Sequence, residues 1–566
     1  MCGILSILRY NNTCKDIEYI KNQFNINSIR GPEKSSFNYD KENKIVRGFH
    51  RLAINGYKND NAMQPLEYNN CSLMCNGEIY NWKELESYAD GQCNSGSDCE
   101  IIIHLYKKYG IKQTLQMIDG VFAFVLWDKT TNDVYAARDP FGIRPMFVWM
   151  RESDMQSPII FASDVKTGQN ILTNVKPRHF PPGHFIKFHA ISPEIKLTQE
   201  EYYKHAKNII DLKHMYTPYH SITSFKDSTI KTIEDTVPLI RNSLIEAVKK
   251  RVTNTDRDIA CLLSGGLDSS LICALVAKEY VSKYGPNGAK KLHTWSIGLE
   301  GSEDLIYAEK VAKFIGTTHH EIKLDESEFL NAIPQVIHDI ESNDITTIRA
   351  SVGNWLISKY IKENSESKVI FNGDGSDEVT GGYLYFHYAP DPISFDQECR
   401  RLLKDIHYFD VLRSDRCISS HGLEARTPFL DRCFVEKYLS IPMELRDHKH
   451  NIQCEKFLLR NAFSDMYILP EAVLWRMKEA FSDGVSKSTK SWFEIIQDFA
   501  SKKTGIKDGK LAEQSYYDSI FNKKFALGKN LIPYKWMPKF IDATDSSART
   551  LSIYKFSQIE NEVSKN

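Results

Sequence analysis

Residues 264–270 (SGGLDSS) constrain this chain more than any other stretch. They follow a short apolar run at 258–263, typical of a buried parallel strand, and precede residues 271–280, which are apolar on nearly all sides like a helix enclosed in a core. Paired glycines permit a sharp turn, while serine hydroxyls and the free N–H groups of a helix start offer hydrogen-bond donors. The segment therefore predicts a phosphate-binding turn between a strand and a helix.

Asp268 within this turn bears on which ligand the turn can hold. A carboxylate repels a bare phosphate, so we expect a Mg²⁺ ion held between Asp268 and the phosphates. The chain contains no GxxxxGK[ST] sequence, which excludes the usual P-loop. A serine-rich turn without a ligand is the alternative. The SGGxDS pattern is similar to the pyrophosphate loop (PP-loop) of enzymes that split ATP into AMP and pyrophosphate.

Chain length and net charge limit the number of domains and the kinds of partner that we expect. A chain of 566 residues is long enough for two or more domains. The formal net charge of −1 gives no electrostatic case for nucleic-acid or membrane binding, and no apolar run approaches the length of a membrane-spanning helix. We therefore expect no nucleic-acid partner and no membrane association. Because the N-terminus begins no secretory signal, we expect a cytoplasmic location.

The twelve cysteines are scattered and form no CxxC pair. Cys71 and Cys75, or Cys93 and Cys99, are closely spaced, but we find no histidine at ligand spacing beside them. Free thiols in a reducing cytosol are therefore expected, rather than a zinc site.

Cys2 is a second candidate for chemistry. Methionine is normally removed when the next residue is small, which would leave Cys2 with both a thiol and a free α-amine. An α-amine with a pKa of roughly 8 can act as the base for a thiol whose pKa is about 8.5, the N-terminal nucleophile arrangement. A cysteine at position 2 is weak evidence when taken alone.

Later residues offer the groups that amide hydrolysis through a thioester requires, an oxyanion hole and fixation of the substrate's ends. Asn76 can donate a side-chain N–H and Gly77 a backbone N–H to the oxyanion. Arg51 can bind an α-carboxylate in bidentate fashion, and Asp98 with Glu78 can receive an α-ammonium group. A hairpin turn at Asn76–Gly77 and surface ions at Arg51 and Asp98 are the alternatives.

The motifs MCGIL, RGP, HRLAI, NGEIYN and GSDCE occur in an order that resembles the class II glutamine amidotransferases, whose nucleophile is an N-terminal cysteine. The resemblance covers roughly residues 2–190 and implies glutamine as the substrate and a four-layer α/β/β/α Ntn-hydrolase sandwich as the fold. Residues 119–124 and 138–145 also match, as strands and a structural loop. His50 departs from the acidic residue that several relatives carry before the arginine. The implied glutamine site comprises Arg51, Leu52, Ala53, Ile54, Asn55, Asn76, Gly77, Glu78 and Asp98.

Strands and helices alternate in the second half of the chain. A helix at 238–252 precedes the phosphate turn. After the turn, the pattern predicts strands at 293–298, 320–324 and 368–371, and helices at 304–315, 329–340 and 352–361. This alternation favours a doubly wound parallel sheet with its ligand at the carboxyl ends of the strands.

A second glycine-rich turn, NGDGSDE at 372–378, follows one of the predicted strands. Three acidic residues lie within five positions and would repel one another unless a cation or a ligand amine lies among them. We therefore predict a metal or substrate site at this turn, with a solvated loop as the alternative.

The motifs SGGLDSS, SIGLEGSEDL, ITTIRAS, GDGSDE, GLEARTPFLD and RMKEAFSDG resemble the glutamine-hydrolysing asparagine synthetases. With the N-terminal motifs, the resemblance covers residues 2 to about 485. It implies a ligase that converts ATP, L-aspartate, L-glutamine and water into AMP, diphosphate, L-asparagine and L-glutamate. The implied route runs through a β-aspartyl-AMP intermediate and transferred ammonia.

The same resemblance assigns roles to single residues. Asp268 and Asp377 would hold Mg²⁺. The ATP site would comprise Leu263, Ser264, Gly265, Gly266, Asp268, Ser269, Ile297, Asn372 and Gly373. The aspartate site would comprise Thr346, Arg349 and Glu378, and the catalytic groups would be Cys2, Asn76, Gly77, Asp374 and Lys478. Two residues depart from the family pattern, Asp374 in place of a glutamate and Asn372 in place of a serine.

Four segments are expected along the chain: a glutaminase domain at 2–201, a linker at 202–230, a synthetase domain at 231–545 and a polar tail at 546–566 that is disordered. Since members of the family are often dimers, a homodimer is a further expectation. A β-lactam synthetase is a rival, but such enzymes tend to lose the N-terminal cysteine. An inert storage or interaction protein would lack Cys2 or the ATP half, and a tRNA-modifying enzyme would need a basic stripe that this chain lacks.

Overall fold

The computed structural model describes residues 1–151, 154, 157–190, 215–449, 454–486, 490–528 and 531–554. The chain divides into two compact units. The first comprises Met1–Ser221 with the short segments Ser419–Gly422 and Phe525–Leu531. The second comprises Ile222–Ile418, Leu423–Lys524 and Ile532–Asn566.

Two antiparallel sheets form the centre of the first unit. One has the strand order β10-β8-β9-β1-β3-β2 and the other β12-β11-β7-β6-β5-β4. Among the described residues, the strands are β1 Gly3–Leu8, β2 Lys34–Asp40, β3 Ile45–Arg51, β4 Leu66–Tyr68, β5 Cys71–Ile79, β6 Gly120–Asp128, β7 Asp133–Arg138, β8 Phe147–Trp149, β9 Ile159–Ala162, β10 Arg178–His179, β11 His184–His189 and β12 Thr217–Pro218.

Helices cover the outer faces of both sheets. These helices are α1 Ile17–Asn25, α2 Trp82–Leu85, α3 Ile101–Met117 and α4 Val165–Gly168. Phe24 of α1 packs on the outer face of β3, where a Cβ at Gly48 would come within 2.8 Å of its ring. On the other outer face, α3 buries Ile102 and Leu105 in one core with β5 and β6. The four-layer α/β/β/α sandwich is therefore confirmed.

The sequence of β6 shows why the layers form. Successive side chains of a strand point to opposite faces of its sheet. Val125 and Trp127 lie in the core between the two sheets. Phe124 and Leu126 lie in the other core, beneath α3. An apolar strand of this kind can be buried on both faces only when a second sheet covers one side and a helix covers the other.

A parallel sheet forms the centre of the second unit, with strand order β15-β14-β13-β16-β17. The strands are β13 Ile259–Leu262, β14 His293–Leu299, β15 Thr318–Leu324, β16 Val369–Phe371 and β17 Glu424–Arg426. From β13, the chain first adds β14 and β15 on one side and then β16 and β17 on the other, so the predicted doubly wound sheet is confirmed. The crevice at such a reversal of strand order is where ligands bind in folds of this class.

The α-helices described in the second unit pack around this sheet and make up the described secondary structure after β17, apart from short 3-10 turns. They are α5 Ile233–Thr253, α6 Leu267–Tyr284, α7 Glu303–Ile315, α8 Glu326–Ile340, α9 Ile345–Asn364, α10 Ser376–Thr380, α11 Pro392–Asp405, α12 Asp410–Ser419, α13 Arg432–Ser440, α14 Met443–Arg446, α15 Phe457–Ser464, α16 Glu471–Leu474, α17 Phe481–Gly484, α18 Trp492–Thr504 and α19 Gly509–Lys524.

Helix α9 begins two turns earlier than the sequence pattern predicted, at Ile345 rather than at residue 352. Asp344 precedes it and accepts a hydrogen bond from the backbone N–H of Thr347, which caps the helix. The cap places Thr346 in the first turn of a helix rather than in a loop.

None of the helices in the described ranges is long and apolar enough to cross a membrane.

The structure differs from the expected linker and tail. Of the linker expected at 202–230, residues 202–214 lie outside the described residues, and β12 at Thr217–Pro218 pairs with β11 in the first unit. The expectation of a disordered tail from residue 546 is wrong for residues 546–554. Ser547 is buried, and Leu551 is 3% exposed in an apolar cluster with Leu384 and Trp536. Residues 555–566 lie outside the described part of the chain.

Candidate active sites

Cys2 immediately precedes β1, at one end of the two packed sheets of the first unit. Its backbone nitrogen donates a hydrogen bond to Asn76 Oδ1 at 3.0 Å, and its Sγ lies 3.7 Å from the carbonyl oxygen of Leu52. Arg30 Nε donates to the Cys2 carbonyl at 3.0 Å. These contacts fix the backbone on both sides of the thiol, and Met1 beside it is 1% exposed.

Asn76 is the residue of β5 best placed to act with Cys2. Its Oδ1 is used by the Cys2 nitrogen, while its buried Nδ2 has no hydrogen-bond partner among the described residues. A buried donor without a partner is costly unless a ligand accepts from it. Gly77 has a separate packing reason, because a Cβ there would lie 2.3 Å from the carbonyl oxygen of Val121.

The remaining residues of the expected glutamine site lie on β3, on β5, on the connection after β3 and, for Asp98, in the turn before α3. Arg51 is buried, and its Nη2 donates to the carbonyl oxygen of Gly56 at 2.7 Å. Asn55 Nδ2 donates to Glu78 Oε2 at 2.6 Å, and the backbone N–H of Ile79 donates to Asp98 Oδ2 at 2.6 Å. The connection after β3 therefore orients Arg51 and Glu78, whereas the backbone of β5 orients Asp98.

Sequence reasoning missed Glu33, which lies just after the RGP motif. Its Oε2 accepts a hydrogen bond of 2.6 Å from the backbone N–H of Ala53, so it orients the connection after β3. No pattern in the sequence links residues 33 and 53. The register of β2 against β3 brings them together, since Lys34 is paired with Arg51.

The first unit also holds one cluster of groups that could ligate a metal. Among the described residues, ligand atoms of Cys93, Glu100 and His104 lie within 4.8 Å of one another, so the fold brings a histidine close to Cys93 although none stands beside it at ligand spacing in the sequence. Glu100 and His104 face each other because they are four residues apart at the start of α3. The Glu100 carboxylate already accepts hydrogen bonds from the backbone and hydroxyl of Ser95 and from the backbone of Asn94. These hydrogen bonds account for the cluster as part of the fold.

A cleft lies at the carboxyl ends of β13, β14 and β16 in the second unit. Its lining combines the two glycine-rich turns with residues 476–482. The lining includes nearly all of the expected ATP, metal and catalytic residues of this unit, namely Leu263, Ser264, Gly266, Asp268, Ser269, Ile297, Asn372, Gly373, Asp374, Asp377 and Lys478, together with Thr346 and Glu378 of the expected aspartate site.

The SGGLDSS turn has the geometry that its glycines predicted. Gly265 has a φ of +75°, and a Cβ there would lie 2.5 Å from the backbone nitrogen of Ala308 on α7. Ser269 Oγ accepts from the backbone nitrogen of Ser264 at 3.1 Å and lies 2.9 Å from the Ser264 hydroxyl. Helix α6 begins at Leu267, so the turn lies at its N-terminus, the end of a helix that favours anions.

The two glycine-rich turns are in direct contact. A Cβ at Gly373 would lie 2.8 Å from the backbone nitrogen of Ser269 and 2.9 Å from the Asp268 Cβ, so only glycine allows this approach. Ser376 Oγ, in the first turn of α10, donates to Asp268 Oδ1 at 2.8 Å. The prediction from sequence treated the turns as neighbours at the sheet edge, and the structure packs them as one surface.

Two lysines neutralise the pair of aspartates that the turns carry. Lys456 Nζ lies 2.5 Å from Asp268 Oδ2 and 2.7 Å from Asp377 Oδ1. Lys478 Nζ lies 2.6 Å from Asp377 Oδ2 and 3.7 Å from Asp268 Oδ2. Although burial opposes ionisation of Asp377, the attraction of Lys456 and Lys478 lowers its pKa below the usual range. The Asp377 carboxylate is therefore ionised in the cleft.

Asp374 lies beside a second cation. Arg413 Nη2 donates to Asp374 Oδ1 at 2.9 Å and to Asp410 Oδ1 at 2.6 Å. Burial raises the pKa of Asp374, while Arg413 acts against this rise. Asn372 at the start of the same turn donates through Nδ2 to Ser414 Oγ at 2.7 Å, so the larger side chain at this position is accommodated by a hydrogen bond to α12.

Glu378 lies beside other carboxylates, whereas Asp374 lies beside the cation Arg413. It is 3% exposed, and burial together with the Asp410 and Asp377 carboxylates raises its pKa well above the usual range. The hydroxyl of Tyr383 donates to Glu378 Oε1 at 2.5 Å. A carboxyl group in these surroundings favours a cationic ligand such as an ammonium group, which would offset the repulsion between the acids.

Arg349 is the one residue of the expected aspartate site that the structure places elsewhere. It is 3% exposed, and its guanidinium makes bidentate hydrogen bonds to Glu513, at 2.9 and 2.6 Å, and to Asp545, at 2.6 and 3.0 Å. It does not line the cleft formed by the described residues. Glu513 and Asp545 lie after residue 485, where the family motifs end.

Sequence reasoning also missed charged and polar residues of the cleft, among them Tyr383, Asp410, Arg413 and Lys456. Lys456 follows no glycine-rich turn and reaches the aspartates from the residue before α15, where it adopts a φ of +59°. The sequence around Lys456 carries no signal for this role, because the contact depends on the path of a segment 188 residues after Asp268.

Comparisons with known proteins give the same division of the chain. Residues 1–194 match the family model described as glutamine amidotransferase domain, and residues 239–394 and 390–539 match the model described as asparagine synthase. The chain is 40% identical over 575 residues to the asparagine synthetase [glutamine-hydrolyzing] of Cricetulus griseus, with 98% of this chain and 99% of the relative covered. The enzyme of the same name from Homo sapiens is 40% identical over 574 residues, with equal coverage.

The chain belongs to the glutamine-hydrolysing asparagine synthetases. The family assignment from the sequence motifs is confirmed, and with it the two-domain α/β architecture of this synthetase. The synthetase from Rattus norvegicus is likewise 40% identical, over 573 residues.

Proposed function

We propose that this chain makes asparagine from aspartate and ATP, using ammonia that it releases from glutamine. The observation that carries the proposal is the contact between the two glycine-rich turns, which brings Asp268 and Asp377 together with Lys456 and Lys478 at the N-terminus of α6. A surface with donors, carboxylates and ammonium groups suits a nucleoside triphosphate and the pyrophosphate that leaves it.

At the first site, the Cys2 thiolate attacks the side-chain amide carbon of glutamine. A carbon–sulfur bond forms, and collapse of the tetrahedral intermediate breaks the carbon–nitrogen bond and releases ammonia. The Asn76 Nδ2 donor, which has no partner among the described residues, and the Gly77 N–H serve as the oxyanion donors. After removal of Met1, the Cys2 nitrogen becomes the α-amine that takes the thiol proton, and Asn76 Oδ1 at 3.0 Å orients it. Water then hydrolyses the thioester to glutamate.

At the second site, the β-carboxylate of aspartate attacks the α-phosphorus of ATP. An oxygen–phosphorus bond forms, the bond between the α- and β-phosphates breaks, and pyrophosphate leaves. Lys478 lies among the groups that would contact the phosphates, where its charge stabilises the negative charge that develops on the leaving pyrophosphate. The Glu378 carboxyl is suited to hold the α-ammonium group of aspartate, and Thr346 lines the same cleft.

Ammonia completes the reaction by attacking the acyl carbon of β-aspartyl-AMP. The carbon–nitrogen bond of asparagine forms, the bond to the AMP oxygen breaks, and the nitrogen loses a proton. Attachment of AMP is needed because a free carboxylate is a poor acyl donor. Asp374 takes part in forming the acyl-adenylate, and Arg413 at 2.9 Å holds its carboxylate in place.

Mg²⁺ is the metal that the cleft would hold. The carboxylates of Asp268 and Asp377 converge on one point from two turns, and hard oxygen donors of this kind are the protein ligands that Mg²⁺ prefers. A bound Mg²⁺ would supply positive charge to the phosphates. Lys456 and Lys478 carry positive charge at the same place, so they would assist the metal in offsetting the charge of the phosphates.

Further parts of the proposal concern the setting of the enzyme. We propose a glutaminase domain at 2–201 and a synthetase domain at 231–545, with Arg51, Asp98 and Glu78 binding the ends of glutamine. We also propose that the enzyme is a homodimer in the cytoplasm, without nucleic-acid or membrane partners. Size-exclusion chromatography with light scattering tests the dimer.

Product analysis tests the reaction. The enzyme is incubated with Mg²⁺, ATP, glutamine and aspartate, each omitted in turn, and nucleotides and amino acids are quantified. We expect aspartate-dependent AMP and pyrophosphate, with asparagine made from glutamine. The variant Cys2→Ala should make asparagine only from added ammonium. AMP formed with a different acid would refute the assignment of aspartate, and ADP or no nucleotide product would refute adenylation itself.

A further inference from the structure

Residues 476–483, here called the loop, carry Lys478 and include the first residues of α17, and residues 476–482 line the cleft. One end of this loop is attached to α7, and the other is attached to Ser302, the residue before α7. At one end, Arg476 Nη2 donates to Asp304 Oδ1 at 3.0 Å. At the other end, Ser302 Oγ donates to the carbonyl oxygen of Gly484 at 2.6 Å. These anchors leave the middle of the loop, which carries Lys478 and Glu479, to be held by other contacts.

Residues 545–554, here called the C-terminal clamp, supply several of those contacts, and the Lys478 backbone nitrogen donates a further hydrogen bond to Glu455 Oε1 at 2.9 Å. Arg549 Nε donates to Glu479 Oε1 at 2.8 Å, and the Tyr554 hydroxyl donates to Glu479 Oε2 at 2.7 Å. Ser547 Oγ lies 2.8 Å from Asp483 Oδ1 and 3.0 Å from Asp483 Oδ2. The clamp therefore binds both carboxylate oxygens of Glu479, the residue next to Lys478, and it also binds the carboxylate of Asp483.

The base of the clamp is fixed in the second unit. Asp545 accepts two hydrogen bonds from the buried Arg349, and Ser547 donates its backbone N–H to Asp545 Oδ1 at 2.9 Å. Leu551 is buried beside Trp536, which itself lines the cleft. A segment anchored at both of these points has little freedom, so its contacts with the loop are made by a rigid partner.

Charge explains why the loop needs such a partner. The Glu479 carboxylate repels two others near the loop, those of Asp304 and Asp483. Burial raises the pKa of Asp304 to about 7, and burial also raises the pKa of Asp483 to about 6, with Glu479 adding to both. The guanidinium of Arg549, 11% exposed against 9% for Glu479, offsets this repulsion where solvent screens it little.

We infer that the C-terminal clamp positions Lys478 for adenylation by holding Glu479 through Arg549 and Tyr554. The inference rests on the proposed function, because it assigns Lys478 to the phosphates of ATP. Arg549 and Tyr554 are positioning residues, since they act through Glu479 and do not line the cleft among the described residues. The synthetase reaction thereby depends on the part of the chain that its sequence marks as a polar tail.

The test compares Arg549→Gln, Tyr554→Phe and the double variant with the wild-type enzyme. The kcat for aspartate-dependent pyrophosphate release should fall about 10- to 100-fold in Arg549→Gln, the effect of a small displacement of a catalytic group, with a smaller change in the KM for ATP. The double variant should lose little more than Arg549→Gln, because both residues act through one carboxylate. Arg549→Lys should recover part of the activity. Arg432→Gln is the matched control, an arginine paired with Glu436 on α13.

Hydrogen exchange gives a readout that does not depend on turnover. Peptides covering residues 476–486 should exchange faster in Arg549→Gln, while peptides covering β13 and β16 should keep wild-type protection. Glutamine hydrolysis without ATP should equal that of the wild type. Unchanged kcat with unchanged exchange in the loop would overturn the inference, and so would loss of protection throughout the second unit, which would make Arg549 a general stabiliser. If the wild type formed no pyrophosphate with aspartate, the proposed function would fail, while the exchange comparison would still decide whether the clamp holds the loop.

Discussion

Lys456 Nζ lies 2.5 Å from Asp268 Oδ2 and 2.7 Å from Asp377 Oδ1, so one ammonium group joins carboxylates from two separate strand ends. The Lys456 side chain is 1% exposed, against 15% and 14% for the two aspartates. This lysine is therefore the fixed, buried member of the cluster, whereas the aspartates face the cleft. Removing the buried member leaves the two carboxylates with Lys478 alone, which lies 2.6 Å from Asp377 Oδ2 but 3.7 Å from Asp268 Oδ2.

Lys456→Met should lower the free energy of unfolding by about 3–5 kcal/mol, the usual cost of removing one partner of a buried ion pair. Mg²⁺ should stabilise this variant more than the wild type, because a divalent cation can take the place of the lost charge between the carboxylates. Urea denaturation with and without Mg²⁺ measures both effects. Lys437→Met, at an exposed position of α13, is the control and should behave like the wild type. An equal effect of Mg²⁺ on Lys456→Met and the wild type would contradict the prediction.

Asn76→Ala should slow glutamine hydrolysis by about 100- to 1,000-fold, the usual effect of removing one oxyanion donor. Asparagine synthesis from added ammonium should stay within the range of the wild type, since Asn76 belongs to the first site alone. A glutaminase assay and an ammonium-dependent synthesis assay on the same preparation measure the two rates. Asn12→Ala, at an exposed turn of the same unit, should change neither. Equal loss in both assays would show a folding defect rather than a lost donor.

Arg349→Gln separates the role that the motif ITTIRAS implies from the contacts that the structure shows. Because Glu513 and Asp545 surround the guanidinium, the variant should lose about 3–5 kcal/mol of unfolding free energy. Chemical denaturation measures this loss. A stable variant with a raised KM for aspartate would instead place Arg349 on the substrate and refute the structural role.

The stability of the second unit should fall as the pH rises from about 4 to 7, with Asp304 as one cause. Burial raises the pKa of Asp304 from 3.8 to about 7, so over this range the folded chain retains a proton that the unfolded chain has released. Each such group contributes a slope of up to about 1.4 kcal/mol per pH unit. Asp304→Asn should flatten the decline, as measured by urea denaturation at a series of pH values.

Asp465→Asn, an exposed aspartate whose side chain is 67% accessible, is the control for the pH series and should keep the slope of the wild type. The loss of the hydrogen bond from Arg476 should lower the stability of Asp304→Asn at every pH. Only the slope of stability against pH therefore tests whether Asp304 titrates in this range. A slope identical to that of the wild type would exclude Asp304 as a contributor.

The sequence is sufficient to predict the groups that stand directly after strands. The turns at 264–270 and 372–378 each follow an apolar run, and parallel strands deliver their carboxyl ends to one edge. Strand alternation and glycine content alone thus locate Asp268 and Asp377 at the same edge of the sheet. Short-range signals of this kind are also enough to place α7 and α8 within a few residues of their observed bounds.

The sequence could not predict contacts that depend on the path of a long chain. Lys456 approaches Asp268 from 188 residues away, and Arg549 approaches Glu479 from 70 residues away. Neither residue has a periodic or glycine-rich neighbourhood, since a single long side chain can reach its partner from any local structure. The polar composition after residue 546 was misleading for the same reason. Ser547 and Arg549 are polar because their partners are buried carboxylates, and a composition argument treats such residues as solvated.

Arg349 also bears on when the second unit can be completed during synthesis. Its partners Glu513 and Asp545 follow it by 164 and 196 residues. A chain emerging from the ribosome exposes this guanidinium long before either carboxylate exists, and cannot bury it favourably until both have appeared. The second unit therefore cannot complete its folding until residues well after its last sequence motif have been translated. A nonsense mutation just upstream of Asp545 would yield a polypeptide that keeps every motif of both active sites and lacks one of the two counter-charges on Arg349.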